Sequence, residues 1–478
     1  MAANTAKLAR LSLEARPSRN SSNAPLAKGT TSTSAPRSAG MSATELSMPN
    51  SRDTHEASSS MPPRSATKSW RSRRSAPPAS SAREVRAMLS VGVEVRVDIV
   101  QSASSKRSRA YGPSSGLFDA ARSKTVAMRT CGLIRAMPRY PAGVQQATRE
   151  HVALVGDGQM ALVLSDILAV RGITTTLISP FAAVSEKLAA ARTSPRLPGF
   201  TLPAQLRVTS DASMLADATL VVCAIPTQYI GATFAAMAPW IAPGVPVVSI
   251  AKGIEVDSFR LPCDILAEAC GARPIAALSG PTIAAELARR LPAVLVAASH
   301  DAQLCARVQA VFTSPWTKVY QSNDLIGVEL AGACKNVIAI AAGVADGMGL
   351  GTNAKSALLA RGLAEIARIG VALGGKVETF FGVAGAGDLA TTCFAPEGRN
   401  RSFGERLGRG EKVHDALSRT ISVVEGVPTA RALVSLARRH GIELPICEAV
   451  DAIVFNGLDP HEALFQLMRR ASTTERIG

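Results

Sequence analysis

The sequence predicts an α/β protein in which a doubly wound parallel sheet is followed by an all-α domain, with a long disordered N-terminal extension in front. Three observations carry this expectation. Short apolar runs alternate with helical patterns between residue 151 and about residue 320. From Asn323 to Gly478 the periodicity is helical almost throughout. The residues before both are too polar and too rich in Ser, Arg and Pro to form a core. The domain ranges that follow are 1–148 for the extension, 149–325 for the sheet and 326–478 for the helices.

The extension accounts for nearly all of the net charge of +16. Residues 1–150 hold 24 Lys+Arg against 9 Asp+Glu, while residues 151–478 hold 29 against 28. Runs such as Ser58-Ser59-Ser60 and Arg71-Ser72-Arg73-Arg74 bury too little apolar surface to offset their ordering entropy. Val91 to Val100 alternates like a strand but has no partner in its neighbourhood. Three readings compete: a transit peptide, a basic tail that touches nucleic acid or phospholipid, and a translated upstream region with the true start near Met128 or Met137. The last is the plainest and is preferred. Aromatic residues at 4% are too few for base-stacking platforms, so nucleic acid is not an expected partner.

No 18-residue apolar stretch is expected, hence no transmembrane segment, and residues 1–20 lack the apolar centre of a secretory signal. The 8 cysteines contain no C-x-x-C pair and the 6 histidines no metal-ligand spacing. A reduced, cytoplasmic compartment and no metal site follow as expectations.

The first strand is Val152 to Val155, a continuous apolar run of the kind buried in a parallel sheet. It leads into Gly156-Asp157-Gly158-Gln159-Met160-Ala161 and then an apolar helix from Met160 to Val170. That is G-x-G-x-x-A in the strand-turn-helix context of a Rossmann-type fold, with Gly156 for the tight turn and Gly158 for close approach of a pyrophosphate to the helix N-terminus. Further strands are expected at Thr175 to Ile178, Thr219 to Ala224, Val245 to Ile250 and Ile275 to Ser279. An NAD-selecting acid is usual at the end of the second strand, which here reads Leu177-Ile178-Ser179-Pro180. With no acid there, NADP or mixed use is favoured over strict NAD, although no Arg stands at that position either.

Four further segments carry candidate chemistry. Lys252 follows the strand ending at Ile250, at the ligand-binding edge of such a sheet. Lys335 lies within Ala331 to Ile340, whose small and apolar residues promise burial and a lowered pKa; the alternative is a lysine that snorkels to solvent. Asp388 sits in the glycine-rich run Gly382 to Cys393, either orienting an ammonium or capping the next helix. Gly398-Arg399-Asn400-Arg401 offers donors for a phosphate, or is a solvated loop, and Gly280-Pro281-Thr282 adds backbone donors at a helix start. Helices are expected at Gly327 to Ala345, Lys355 to Leu373, Pro428 to His440 and Pro460 to Arg470.

In this order the segments resemble the NAD(P)-dependent glycerol-3-phosphate dehydrogenase family of the bacterial type. The resemblance spans residues 151 to 470 and rests on Gly156-x-Gly158, Leu197-Pro198-Gly199, Ile225-Pro226-Thr227, Lys252-Gly253-Ile254-Glu255, Ser279-Gly280-Pro281-Thr282, Lys335-Asn336-Val337-Ile338-Ala339, Ala384-Gly385-x-Gly387-Asp388-Leu389, Arg399-Asn400-Arg401 and Val424-Glu425-Gly426. It implies reversible reduction of dihydroxyacetone phosphate to sn-glycerol 3-phosphate for glycerophospholipid synthesis. Carried over, Lys335 is the proton donor and acceptor, Lys252 a second ammonium, and Asp388 the residue that orders them. The resemblance makes Gly280, Thr282, Gly398, Arg399 and Asn400 substrate contacts along with both lysines and Asp388. Gly156, Gly158, Gln159, Met160, Lys252, Ala284, Arg399, Val423 and Glu425 then fall at the cofactor. A homodimer is among the expectations.

The chain departs from the family pattern at Ala161 for the third glycine, Met160 for an aromatic residue, Ile283 for Phe, Gly398 for Ser and Pro180 for a basic residue. Two other readings fit the same outline. One is a dehydrogenase of the β-hydroxyacid or 6-phosphogluconate type. The other is a non-catalytic dinucleotide-sensing protein whose basic tail contacts nucleic acid.

Overall fold

The computed structural model describes residues 150–420, 422–471 and 474. The expectations of a disordered segment over 1–148, of a strand at Val91 to Val100 and of a start near Met128 or Met137 lie outside the described residues.

An eight-stranded sheet forms the first half. Its strands are β1 (His151–Val155), β2 (Thr174–Ile178), β5 (Arg207–Thr209), β6 (Leu220–Cys223), β7 (Val247–Ser249), β8 (Ile275–Ser279), β9 (Ala293–Ala298) and β10 (Thr317–Ser322), in the order β10-β9-β8-β7-β6-β1-β2-β5. The short strands β3 (Thr193–Ser194) and β4 (Leu197–Thr201) make a separate antiparallel hairpin. The strand order reverses between β1 and β6, so the crevice beyond their carboxyl ends is where such a sheet binds its ligand.

All five expected strands are present. β3, β4, β5, β9 and β10 were not anticipated, and β9 pairs antiparallel with β8. The link between them, residues 280–292, holds only the five-residue helix Ala284–Ala288, and it returns the chain along the edge instead of crossing a face. The sheet is therefore parallel over six strands and reversed over the last two.

Helix α1 (Gln159–Val170) packs its apolar side on the sheet, where Leu162, Leu164, Ile167 and Leu168 are fully buried. Helices α2 (Ala182–Ala191), α3 (Ile230–Met237), α4 (Pro262–Cys270), α5 (Ala284–Ala288) and α6 (Ala302–Phe312) complete the layers.

The second half is helical from 325 to 468. Its axis is α7 (Leu325–Gly347), opened by Asp324, which accepts from Gly327 N at 3.0 Å. Around it stand α8 (Gly351–Ala372), α9 (Val377–Phe381), α10 (Asp388–Phe394), α11 (Arg399–Gly408), α12 (Val413–Ser418), α13 (Gly426–Arg439), α14 (Pro445–Asn456) and α15 (Pro460–Met468). The expectation that no apolar stretch reaches membrane-spanning length is corrected here. α7 is long and apolar enough by that measure, yet 83% of its apolar window is buried within this fold, as a helix hydrophobic on all sides must be when neighbours surround it.

α11 lies against α7 at backbone contact. Gly343 and Gly347 face Gly404 and Gly408, and a Cβ at any of the four would strike the opposite main chain. This close approach brings the first turn of α11 to the side of α7 that carries Asn336.

Candidate active site

Four chain segments meet where the sheet abuts the helices. Lys335, three turns into α7, is buried with 8% of its side chain exposed. Its Nζ donates to Asp388 Oδ1 at 2.5 Å and to Thr392 Oγ1 at 2.6 Å. Lys252, from the loop after β7, reaches the other carboxylate oxygen at 2.7 Å and Gly280 O at 2.9 Å. Asp388 is 1% exposed, and one buried carboxylate thus bridges two ammonium groups from the two halves of the fold.

Asp388 does not cap its helix. Residues Val383–Gly387 form a single π-turn, and Asp388 is the first residue of α10, with no side-chain cap bond at its start. The wider π-turn aims the carboxylate across at α7. The snorkelling alternative for Lys335 is likewise set aside by its burial.

Burial lowers the Lys335 pKa to about 8; the Asp388 charge opposes that fall and the Lys252 charge adds to it. An amine balanced in this way holds a proton at neutral pH and releases it at moderate cost, as proton transfer to a reacting oxygen requires.

Behind the lysines a chain of amides fixes the first turn of α11. Asn336 Nδ2 donates to Lys252 O at 2.8 Å, Asn400 Nδ2 donates to Asn336 Oδ1 at 2.9 Å, and Gly426 N donates to Asn400 Oδ1 at 3.0 Å. Arg399 stands exposed, its Nη1 donating to Val423 O at 3.1 Å. The first-turn amides of α11 have no intrahelical acceptor, and Gly398 offers no side-chain cap, so this helix start can receive an anion. Arg401, grouped with these residues in the sequence, turns away: its Nε donates to Asp346 at 2.7 Å, beside Lys355.

The glycine turn fits a dinucleotide. Gly156 has φ +122°, and a Cβ there would sit 2.5 Å from Ala224 O, at the strand-order reversal between β1 and β6. Gly158 precedes α1, which has no side-chain cap bond and no acid in its first turn, leaving its amides to a pyrophosphate. Gln159 and Met160 are the first two residues of that helix. Asp157 is engaged by other groups, accepting from Ser179 Oγ at 2.7 Å and pairing with Arg196.

Gly280 follows β8 at φ +122°, where a Cβ would meet Val294 O at 2.9 Å, and Thr282 Oγ1 donates back to Gly280 O at 3.2 Å. Ala284 is buried at the start of α5, and Val423 is exposed. Glu425 Oε1 accepts from Thr227 N at 3.1 Å, a further link between the halves. Burial raises its pKa, with Arg399 and the Thr227 amide opposing.

Sequence reasoning gave no role to Thr392 or Asn336. Asn336 adjoins Lys335 in a quoted motif, but nothing local signals that Thr392, 57 residues away, meets the amine.

Residues 151–305 match the N-terminal family model of NAD-dependent glycerol-3-phosphate dehydrogenase and residues 324–465 the C-terminal one. The chain belongs to this family. A relative from Streptomyces coelicolor, named glycerol-3-phosphate dehydrogenase [NAD(P)+], is 42% identical over 328 residues, covering 68% of this chain and 98% of its own. The protein of the same name from Thermobifida fusca is 43% identical over 332 residues, covering 68% and 99%. Among solved structures, glycerol-3-phosphate dehydrogenase from Coxiella burnetii superposes with a TM-score of 0.66 at 33% identity, over 67% of this chain and 99% of that one.

Proposed function

We propose that this chain catalyses the reversible NAD(P)H-dependent reduction of dihydroxyacetone phosphate to sn-glycerol 3-phosphate, feeding glycerophospholipid synthesis. The observation that carries the proposal is Asp388 bridging Lys335 and Lys252 beside a helix start suited to phosphate. Family membership supports the reaction, and the named relatives act with NAD(P)+.

Gly156, Gly158, Gln159, Met160, Ala284, Val423 and Glu425 would hold a reduced nicotinamide dinucleotide, which would supply the hydride. The chain supplies the rest. Arg399, Asn400 and the Gly398 backbone hold the substrate phosphate, and Gly280 and Thr282 line its other end. Fixing the phosphate orients the carbonyl, so remote binding energy is used for positioning. As the ketone oxygen gains negative charge, Lys252 stabilises it and Lys335 gives it a proton, a combination worth roughly 10²–10⁴-fold in rate. Asp388 supports the charge on Lys335 and aims both amines. In the reverse direction neutral Lys335 takes the hydroxyl proton.

All seven cysteines among the described residues are free and buried, which supports the proposed cytoplasmic location. A homodimer is part of the proposal, and sedimentation velocity reads it directly.

The deciding assay follows NADPH and NADH absorbance with dihydroxyacetone phosphate for wild type and Lys335→Ala. Turnover in the first and its loss in a folded second are expected. A wild type inactive on this ketone but active on an unphosphorylated hydroxy acid overturns the proposal.

A further inference from the structure

The residue at the end of β2 ordinarily decides which ribose a dinucleotide fold accepts. An acid there takes the ribose hydroxyls, and an arginine close by takes a 2′-phosphate. The strand end of this chain, Ile178-Ser179-Pro180, supplies neither. The fold supplies an arginine from elsewhere.

The β3–β4 hairpin carries Arg196 in its turn, and that turn is packed on the glycine loop through Gln159 Nε2, which donates to Arg196 O at 2.5 Å. Arg196 Nη1 pairs with Asp157 Oδ1, and the other oxygen of Asp157 accepts from the hydroxyl of Ser179, the residue immediately past β2. Ser179 is fully buried, and its hydroxyl also receives Phe181 N at 3.2 Å. The place of the ribose-binding acid is thus filled by a serine committed to its neighbours.

Asp157 does not replace that acid. Both of its oxygens are already hydrogen-bonded, so it acts as a holder for the guanidinium. Arg196 is held on one side only: among the described residues its Nη1 is engaged and its Nε and Nη2 are not, and the side chain is 33% exposed. A guanidinium with one edge anchored and one edge free presents the planar pair of donors that grips a phosphate.

We infer that Arg196 makes this chain select NADP over NAD, its free edge gripping the 2′-phosphate while Asp157 positions it. The inference rests on the dinucleotide reading of the glycine turn. It gives the hairpin a purpose that the end of β2 leaves open, since Pro180 offers no side-chain donor.

Isothermal titration of the full chain with NADPH and NADH tests it, together with 2′,5′-ADP and 5′-AMP, which isolate the 2′-phosphate from the nicotinamide. Wild type should bind NADPH and 2′,5′-ADP at least tenfold tighter than NADH and 5′-AMP. Arg196→Ala should lose that factor while the NADH affinity stays within twofold. Arg196→Lys should keep part of it, and Asp157→Asn should weaken NADPH more than NADH. Equal affinities in wild type, or a loss in Arg196→Ala shared by both nucleotides, overturns the inference while leaving the reaction intact. Binding of neither nucleotide overturns the dinucleotide reading and this inference together.

Discussion

Replacing Asp388 by asparagine keeps the shape of the side chain and removes the charge shared by Lys335 and Lys252. At an effective dielectric of about 20, unit charges about 4 Å apart attract by about 4 kcal/mol. At about 1.4 kcal/mol per unit this is about three pKa units. Lys335 already titrates near pH 8 because burial outweighs the support of Asp388. In wild type about nine molecules in ten therefore hold the proton at pH 7, whereas an amine shifted to about 5 does so in about one in a hundred. Single-turnover reduction, followed by NADPH absorbance between pH 5 and 9, reads the difference. The wild-type rate should fall as pH rises through about 8. The variant should be slower by about two orders of magnitude at pH 7 and should recover toward pH 5. Oxidation, which needs the neutral amine, should show the opposite limb. Because the amine can shed its proton instead of remaining an unpaired charge, the stability loss should stay below the ~3–5 kcal/mol of a broken buried pair. A variant that keeps its rate at pH 7, or whose limb remains near 8, refutes the role given to Asp388.

Arg399→Ala should raise KM for dihydroxyacetone phosphate at least tenfold with a smaller change in kcat, because Asn400 and the backbone at Gly398 still orient the substrate once it is bound; an unchanged KM removes the anchor. In Gly426→Ala the new Cβ would lie 2.7 Å from Asn336 O and 2.8 Å from Asn400 Oδ1, so a loss of about 1–3 kcal/mol by urea titration is expected, together with a raised KM as Asn400 is displaced. Glu329, buried on α7 and accepting from Cys263 N at 2.9 Å, has its pKa raised by burial to about 8. The folded state therefore binds that proton more tightly than the unfolded chain. Its contribution is most favourable below the ordinary carboxylate pKa and is lost as pH rises to about 8. Glu329→Gln should flatten this part of the stability profile, leaving the slope of the same sign from Glu365, whose pKa is raised to about 7; an unchanged slope in urea midpoints would count against the assignment.

Much of this architecture was legible because the informative signals are local. Val152–Val155 reads as a buried strand, Gly156 as a tight turn, and the stretch around Lys335 as a helix whose small and apolar residues promise burial. Each depends on residues within a few positions of one another, where period and steric size decide the outcome. The reversal of β9 was not legible, because direction in a sheet follows from the path of the link between strands, and a five-residue helix too short to cross a face leaves no distinct trace in composition.

The site divides in the same way. By itself the sequence determined which residue types are available, Lys252, Lys335, Asp388, Arg399 and Asn400 among them, and on which kind of element each stands. Only the tertiary structure decided which of them meet. It gave Lys335 to Asp388 and Thr392, turned Arg401 to Asp346, and carried Arg196 on a hairpin to the end of β2. Those pairings join positions tens of residues apart, and they are fixed by the packing of whole helices and strands, such as the glycine contact of α11 on α7, to which no short window of sequence is sensitive.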